Sequence, residues 1–335
     1  MLGTENKWAL DVWELNGPPE TWAAQLQEYN RLAPPFALVS GLSNGTWEPV
    51  EQFCESQRIP CWFPSVAMAP VRATQPTYSF YFSRGLGLEA EVLGRELAKS
   101  MRSGRVVQLF RGDDASASAV HMLSQGAAHG LSHTSMDIAS LAPDRAVDLV
   151  KAQLKGLQPN DAVVLWLRPA DLRLLEPALT SINARLFASG SLTSATAVFV
   201  PESLRKSVHM VYPYQLPHLR ENNVAYMHVW LKLRRIPVID EALQSEIYFA
   251  MNLLTDTLAE MLDNLYRDYM VERVESMISQ RETRKAEDEI RDVGLVRPRV
   301  KRTPMDAAIP QPAFGMGYAE HAAGCLLYTS PSPRD

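Results

Sequence analysis

Ser43, Asn44 and Thr46 lie between an apolar run and the first residues with helical spacing, inside Gly41–Trp47. Hydroxyl and amide side chains at such a place cap a helix start. The unpaired N–H groups of that start favour an anionic group such as a carboxylate. Caps of this kind are common without a ligand, so the loop alone does not define a site. His121, His129 and His133 suggest a metal site by their closeness, but Gly126 and Gly130 interrupt the helix they would need, and no acidic ligand is spaced with them. Surface or capping histidines are the simpler reading. Asp113 and Asp114 offer a carboxylate pair for acid/base work, against the plainer reading of a solvated loop.

Several familiar chemistries lack their residues. Ser189-Gly190-Ser191 has neither outer glycine of a nucleophile elbow. No GxxxxGK[ST] loop occurs, and Gly85-Leu86-Gly87 is followed by Ala90 where a dinucleotide fingerprint needs its last glycine.

The elements that must position these residues alternate in type. Phe36 to Val39 is apolar throughout, as suits a strand covered by helices on both sides. Trp47, Val50, Phe53 and Cys54 then recur at helical spacing with Pro49 in the first turn, and Arg58 to Pro64 leads into a second strand. Before this unit, Lys7 to Leu15 reads as a strand and Trp22, Leu26 and Tyr29 as one helix face, closed by Pro34-Pro35. After it come an aromatic run, Tyr78 to Phe82, and a helix over Ser83 to Lys99. The alternation then repeats: strands at Val106–Phe110, Leu131–Met136, Ala162–Leu167, Ala184–Phe187 and Thr196–Val200, with helices at Ser116–Ala128, Asp144–Leu157 and after Arg168-Pro169-Ala170-Asp171. Such alternation implies doubly wound parallel sheets. Met210 to Pro217 is extended and proline-punctuated, Glu241 to Ser279 is a long helix or helix pair, and Gln280 to Arg302 reads as a solvated face or linker.

Bulk composition narrows the classes. A length of 335 residues allows about two domains. With 46% hydrophobic and 21% charged residues the chain is an ordinary globular protein. A net charge of -5 and the lack of a basic run interleaved with aromatics give no support for a nucleic-acid partner. No apolar stretch is long enough to span a bilayer, and Met1 to Asn6 is too polar for a signal peptide. Cys54, Cys61 and Cys325 form no CxxC pair; a bridge between Cys54, near a helix end, and Cys61, at the next strand's start, is left open by the geometry, with two half-buried thiols the favoured reading.

Val39 to Gly45, Arg58 to Pro64, and Tyr81 to Gly85 leading into a helix together resemble the type I periplasmic binding proteins. The likeness is greatest to the branched-chain, or hydrophobic, amino-acid branch of ABC-transporter substrate-binding proteins, and it spans Trp8 to Gly324. The resemblance implies an α/β fold of two doubly wound lobes, residues 1–102 with 211–275 and residues 103–210 with 276–324, joined by hinge segments near Arg102, near Tyr212 and after Val274. It implies a periplasmic, non-enzymatic protein without cofactor or metal, which closes its lobes on a small polar ligand (an amino acid, amide or small carboxylate) and presents it to a membrane permease. The family opens with one more strand and helix behind a secretion signal, so Met1 is not expected to be the biological start. Carried over residue by residue, the ligand contacts are Ser43, Asn44, Thr46, Ser65, Val66 and Ala67 from one lobe, and Asp113, Asp114, Arg168, Asp171 and Ser189 to Ser191 from the other. Many amino-acid binders place an acid on that last loop; Ser-Gly-Ser stands here instead. That departure keeps open an envelope protein that binds another protein, and Asp113, Asp114 and His121 keep open an α/β enzyme. The last residues, Cys325 to Asp335, resemble a translated cloning adapter and are set apart from the fold.

Overall fold

A parallel strand pair cannot be closed by a hairpin, so each strand here must be followed by a returning segment, usually a helix. A computed structural model describes residues 8–43, 45–71, 76–112, 114–126, 131–193, 200–211, 217–262, 264–293 and 327–329. It is α/β with parallel sheets and falls into two compact units, Met1–Phe82 with Glu221–Phe314 and Ser83–Arg220 with Gly315–Asp335.

In the first unit, α1 (Trp22–Leu32) precedes β1 (Leu38–Val39) and β2 (Leu42–Ser43), and α2 (Glu48–Gln57) precedes β3 (Cys61–Trp62) and β4 (Ser65–Val66). Pairs β1–β3 and β2–β4 are parallel and keep the same residue offset, Leu38 opposite Cys61 and Leu42 opposite Ser65. They are one ladder with a shared kink: Ser40 and Phe63 both have positive φ, 50° and 47°, at the break. β5 (Ser79–Phe80) adds to β3 in parallel. Trp62 is fully buried beneath Phe63 and Phe80, and its Nε1 donates to the Ala250 carbonyl at 2.8 Å. That bond secures α8 (Glu241–Met261), which packs with α9 (Arg267–Val293).

In the second unit, α3 (Leu86–Ser100), β6 (Gly104–Phe110), α4 (Asp114–Gly126), β7 (Leu131–Asp137), α5 (Pro143–Leu154), β8 (Ala162–Trp166), α6 (Pro169–Leu179), β9 (Arg185–Ser189) and β10 (Val208–Val211) follow in order. The sheet order is β11-β10-β9-β8-β6-β7, where β11 is Leu327–Thr329, antiparallel to β10, and every other neighbouring pair is parallel. Val107, Leu109, Val163, Leu165 and Leu186 pack against α5 and α6 on one face. The buried Gln108 is satisfied within the fold: it donates to Val120 O and Ser124 Oγ and accepts from Trp166 Nε1 at 2.9 Å.

Several expectations change. The segment from Trp8 to Leu15 joins no sheet, because side chains hold it: Trp13 stacks on Tyr29 at 5.0 Å, and Tyr29 Oη donates to Glu14 O at 3.1 Å. Its alternating Leu10 and Val12 face solvent. A helix that the sequence reading did not assign, α7 (Pro217–Leu233), precedes α8. α9 runs unbroken from Arg267 through Val274 to Val293, so residues 280–293 are helix and not linker, and no hinge interrupts the described residues between Val274 and Val293; the rest of Gln280 to Arg302 lies outside the described residues. The unit boundary falls at Phe82/Ser83, where the sequence reading put it at Arg102; α3 packs on α4 and stays with the second unit. The adapter-like tail supplies β11. The strand expected at Thr196 to Val200 and the hinge at Tyr212 lie, but for Val200, outside the described residues.

The structure also decides between the two readings left open for the cysteines. Arg58 takes a left-handed φ of 52° at the end of α2, and Ile59 N bonds back to Cys54 O at 2.9 Å. That turn sets the Cα atoms of Cys54 and Cys61 6.0 Å apart, and the two are joined in a disulfide rather than left as thiols. A bridge that closes so short a loop restricts the unfolded chain by about 2–3 kcal/mol. Replacing both cysteines by serine should therefore lower urea-unfolding stability by about that amount; unchanged stability would show that the bridge does not constrain the chain.

Candidate functional site

Ligands in open α/β sheets bind outside the carboxyl ends of the strands, at the point where the strand order reverses. In the second unit β6 continues to β7 on one side and β8 lies on its other side, so the reversal falls between β6 and β8. Arg111 follows β6 there and Arg168 follows β8. Arg111 grips Asp171, in the first turn of α6, by its Nε at 3.0 and 3.1 Å and its Nη2 at 2.5 Å. The forked pairing raises the guanidinium pKa further above its ordinary value. Gly112 N donates to Asp137 Oδ1 at 2.9 Å, and a Cβ at Gly112 would run into that carboxylate.

One strand further, the loop after β9 is held by an acid from another element. Glu89, in the first turn of α3, is 1% exposed. Its Oε1 accepts from Ser191 N and Ser191 Oγ, both at 2.8 Å. Burial pushes its carboxyl up to about 7, against hydrogen bonds from Ser189, Ser191 and Gly190 that favour the charged form. The Ser-Gly-Ser loop thus meets an acid that comes from α3 and not from the loop itself. Chain position hid it, since Glu89 is about a hundred residues upstream; its acidic place in a helix start was the available signal.

In the first unit, Gly41 permits the close approach of the Trp47 indole, into which a Cβ would run. Ser43 Oγ accepts from Gly45 N and Thr46 Oγ1 from Glu48 N, each at 3.2 Å. Pairing of β2 with β4 sets Ser43 opposite Val66 and brings the two expected loops together. Glu48 and Glu51 occupy the first turn of α2 and already complement the positive end of its dipole, so an anion is less favoured there than the caps alone suggest. Glu246 of α8 faces Ser65; burial is the main reason its carboxyl rises to about 7, with a hydrogen bond from Ser65 opposing and Asp240 adding to the rise.

The candidate residues therefore meet different fates. Ser43, Thr46, Ser65, Val66 and partly buried Ala67 share one strand-end region. Asp171, Ser189 and Ser191 sit at strand ends of the second unit but are engaged with Arg111 and Glu89, and Arg168 stands at the N-cap position of α6 without a side-chain capping bond. Asn44 and Asp113 lie outside the described residues, as does the Asp114 side chain. Among the described residues no group of three or more His, Cys, Asp or Glu side chains is placed to hold a metal; His121 is on an exposed face of α4, and His133 on β7 has its pKa lowered by burial.

The sequence matches no family model and no curated protein. Solved structures do resemble it. A solute-binding protein of an ABC transporter from R. palustris, in complex with benzoate, aligns over 77% of this chain and 71% of its own at 15% identity, with a TM-score of 0.57. The leucine binding protein LivK of Thermotoga maritima covers 77% and 73% at 12% identity and 0.55. An ABC-transporter substrate binding protein of Aeropyrum pernix covers 75% and 68% at 14% identity and 0.59.

Two tests follow from the geometry. Glu89 has a folded pKa near 7 against an ordinary 4.5, so its contribution to stability is full below 4.5 and is lost as pH rises through 7. Urea-unfolding stability of the native chain minus that of Glu89→Gln should fall by up to about 3 kcal/mol across that window and stay level above it; parallel pH curves would show an ordinary exposed acid. Arg111→Met strands the buried Asp171 carboxylate and should cost about 1–3 kcal/mol, with most of the loss recovered when Asp171→Asn is added. Simple additivity of the two changes would mean the pair is not coupled. The parallel two-unit architecture and these alignments together give the chain the fold of the type I periplasmic binding proteins.

Proposed function

We propose that the chain is the solute-binding component of an ABC transporter, a non-enzymatic periplasmic protein that captures a small polar ligand such as an amino acid, an amide or a small carboxylate. The observation that carries this reading is the meeting of Ser43 with Ser65 and Val66 at the carboxyl ends of β2 and β4, the place where this class of sheet receives ligands. The second unit contributes its own strand-end groups, Arg111, Arg168 and the Ser189 to Ser191 loop. A ligand held at such strand ends stabilises the bound form, which a permease then recognises. The names of the structural neighbours, a benzoate complex and a leucine binding protein among them, agree with a small-molecule ligand. The Cys54–Cys61 bridge agrees with an oxidising compartment. No described helix is long and apolar enough to cross a membrane, so a separate permease would carry the ligand through.

Glu246 bears on the ligand class. A carboxyl that titrates near 7 beside Ser65 presents a donor as well as an acceptor at neutral pH, which suits a ligand carrying both. Calorimetric titration with L-leucine, other amino acids, their amides, benzoate and small aliphatic carboxylates should find a ligand of micromolar or tighter affinity, weakened about tenfold or more by Ser65→Ala. Absence of heat across the panel would overturn the transport reading.

A further inference from the structure

On the first unit, α7 is apolar on two sides. Val224, Met227 and Leu231 are buried and pack with Tyr248 of α8. Tyr226, Val229 and Leu233 recur at the spacing of a second stripe and are 77%, 58% and 77% exposed; at its edge Trp230 packs one side on Tyr248, ring centroids 5.8 Å apart, and stays 41% exposed. The stripe continues beyond the helix. Arg235 takes a φ of 57°, Ile236 N bonds back to Leu231 O at 2.9 Å, and the connection to α8 then leaves Ile236 and Ile239 in solvent, the latter 85% exposed. A helix that is apolar on two sides needs two covers, and an exposed patch of this extent marks an interaction surface.

The charges around the stripe indicate what covers it. Lys232, Arg234 and Arg235 are exposed beside it, and among the described residues none of them forms an ion pair. Arg234 lies over the Trp230 ring, 5.7 Å from its centroid. Nearby acids are engaged elsewhere: Asp240 Oδ1 accepts from Leu243 N at 3.0 Å to cap α8, and Glu241 meets His228 at 3.1 Å. Among the described residues the three cations outnumber these two acids, which leaves a locally cationic and apolar surface in a chain of net charge -5.

We propose that α7 and the connection to α8 dock on the surface of an anionic phospholipid bilayer. Tyr226, Val229, Trp230, Leu233 and Ile239 enter the boundary between headgroups and acyl chains, and Lys232, Arg234 and Arg235 meet the lipid phosphates. An exposed tryptophan and tyrosine in an apolar stripe flanked by cations suit that boundary, where one end of the ring stays wet. A second copy fits less well, because a two-fold contact sets the same patch against itself and gathers the unpaired cations of both copies. The inference does not depend on the identity of the transported ligand.

The test is flotation of the full chain with vesicles of phosphatidylglycerol and phosphatidylcholine in equal parts, and with phosphatidylcholine alone. The native chain should float with the anionic vesicles, less so as salt is raised. Two variants, Val229→Ser with Leu233→Ser and Lys232→Gln with Arg234→Gln and Arg235→Gln, should each weaken this by about tenfold or more. Both alter exposed side chains, and thermal unfolding matched to the native chain would confirm that they fold. Failure of the native chain to float with anionic vesicles, or flotation that neither variant changes, would overturn the proposal. So would a native dimer in sedimentation that the serine variant splits while vesicle binding is absent, which would assign the stripe to a second copy.

Discussion

Parallel pairing is the constraint from which the rest of this structure follows. Every strand of such a sheet must be re-entered from the same end, so the segments that leave the strands collect at one edge. In the second unit that edge receives Arg111, Asp137, Arg168 and Ser189 from four different strands, although more than seventy residues of chain separate the first from the last. In the first unit the same rule sets Ser43 opposite Val66. Neither grouping depends on a local sequence motif.

Acid groups stabilise those edges, two of them supplied from helices and one, Asp137, from the end of β7. Loop ends carry backbone donors that need partners, and burying them without one costs more than the bond returns. Glu89 from α3 takes the Ser191 donors, Asp171 from α6 takes the Arg111 fork, and Asp137 takes Gly112 N and Ala139 N. Carboxylates that lose water as they bond pay in solvation, which is why the fully buried Glu89 and the partly buried Glu246 are both pushed up to about 7 while their hydrogen bonds pull the other way. These acids make the edges polar and also sensitive to pH in the neutral range.

The fold was readable from periodicity because parallel strands covered on both sides are apolar throughout, as Ala162 to Trp166 is, and helices such as α3 and α5 carry one apolar face. Periodicity failed where the pattern was real but its partner was not a sheet. Trp8 to Leu15 alternates like a strand, yet Trp13 packs on Tyr29 of α1 and Trp8 on Phe36. It failed again at α7, whose two apolar stripes blur a helical moment, and at the acidic end of α9, where charge density looked like a linker. Of the candidate site, the positions at strand ends followed from topology, whereas the partners did not. Glu89 and Glu246 are remote in sequence from the serines they meet, and the Cys54–Cys61 bridge depended on a left-handed residue at Arg58 that no composition rule specifies.

That a helix-borne acid closes the loop after β9 is the claim on which the reading of the second unit turns. Its most direct test is a carbon-detected NMR titration of the chain labelled at the glutamate carboxyl carbon, with the Glu89 signal assigned by its loss in Glu89→Gln. The buried, serine-bonded carboxyl should titrate with a midpoint of about 7. A midpoint at the ordinary 4.5 would place that carboxylate in water and contradict its buried bonds to Ser191.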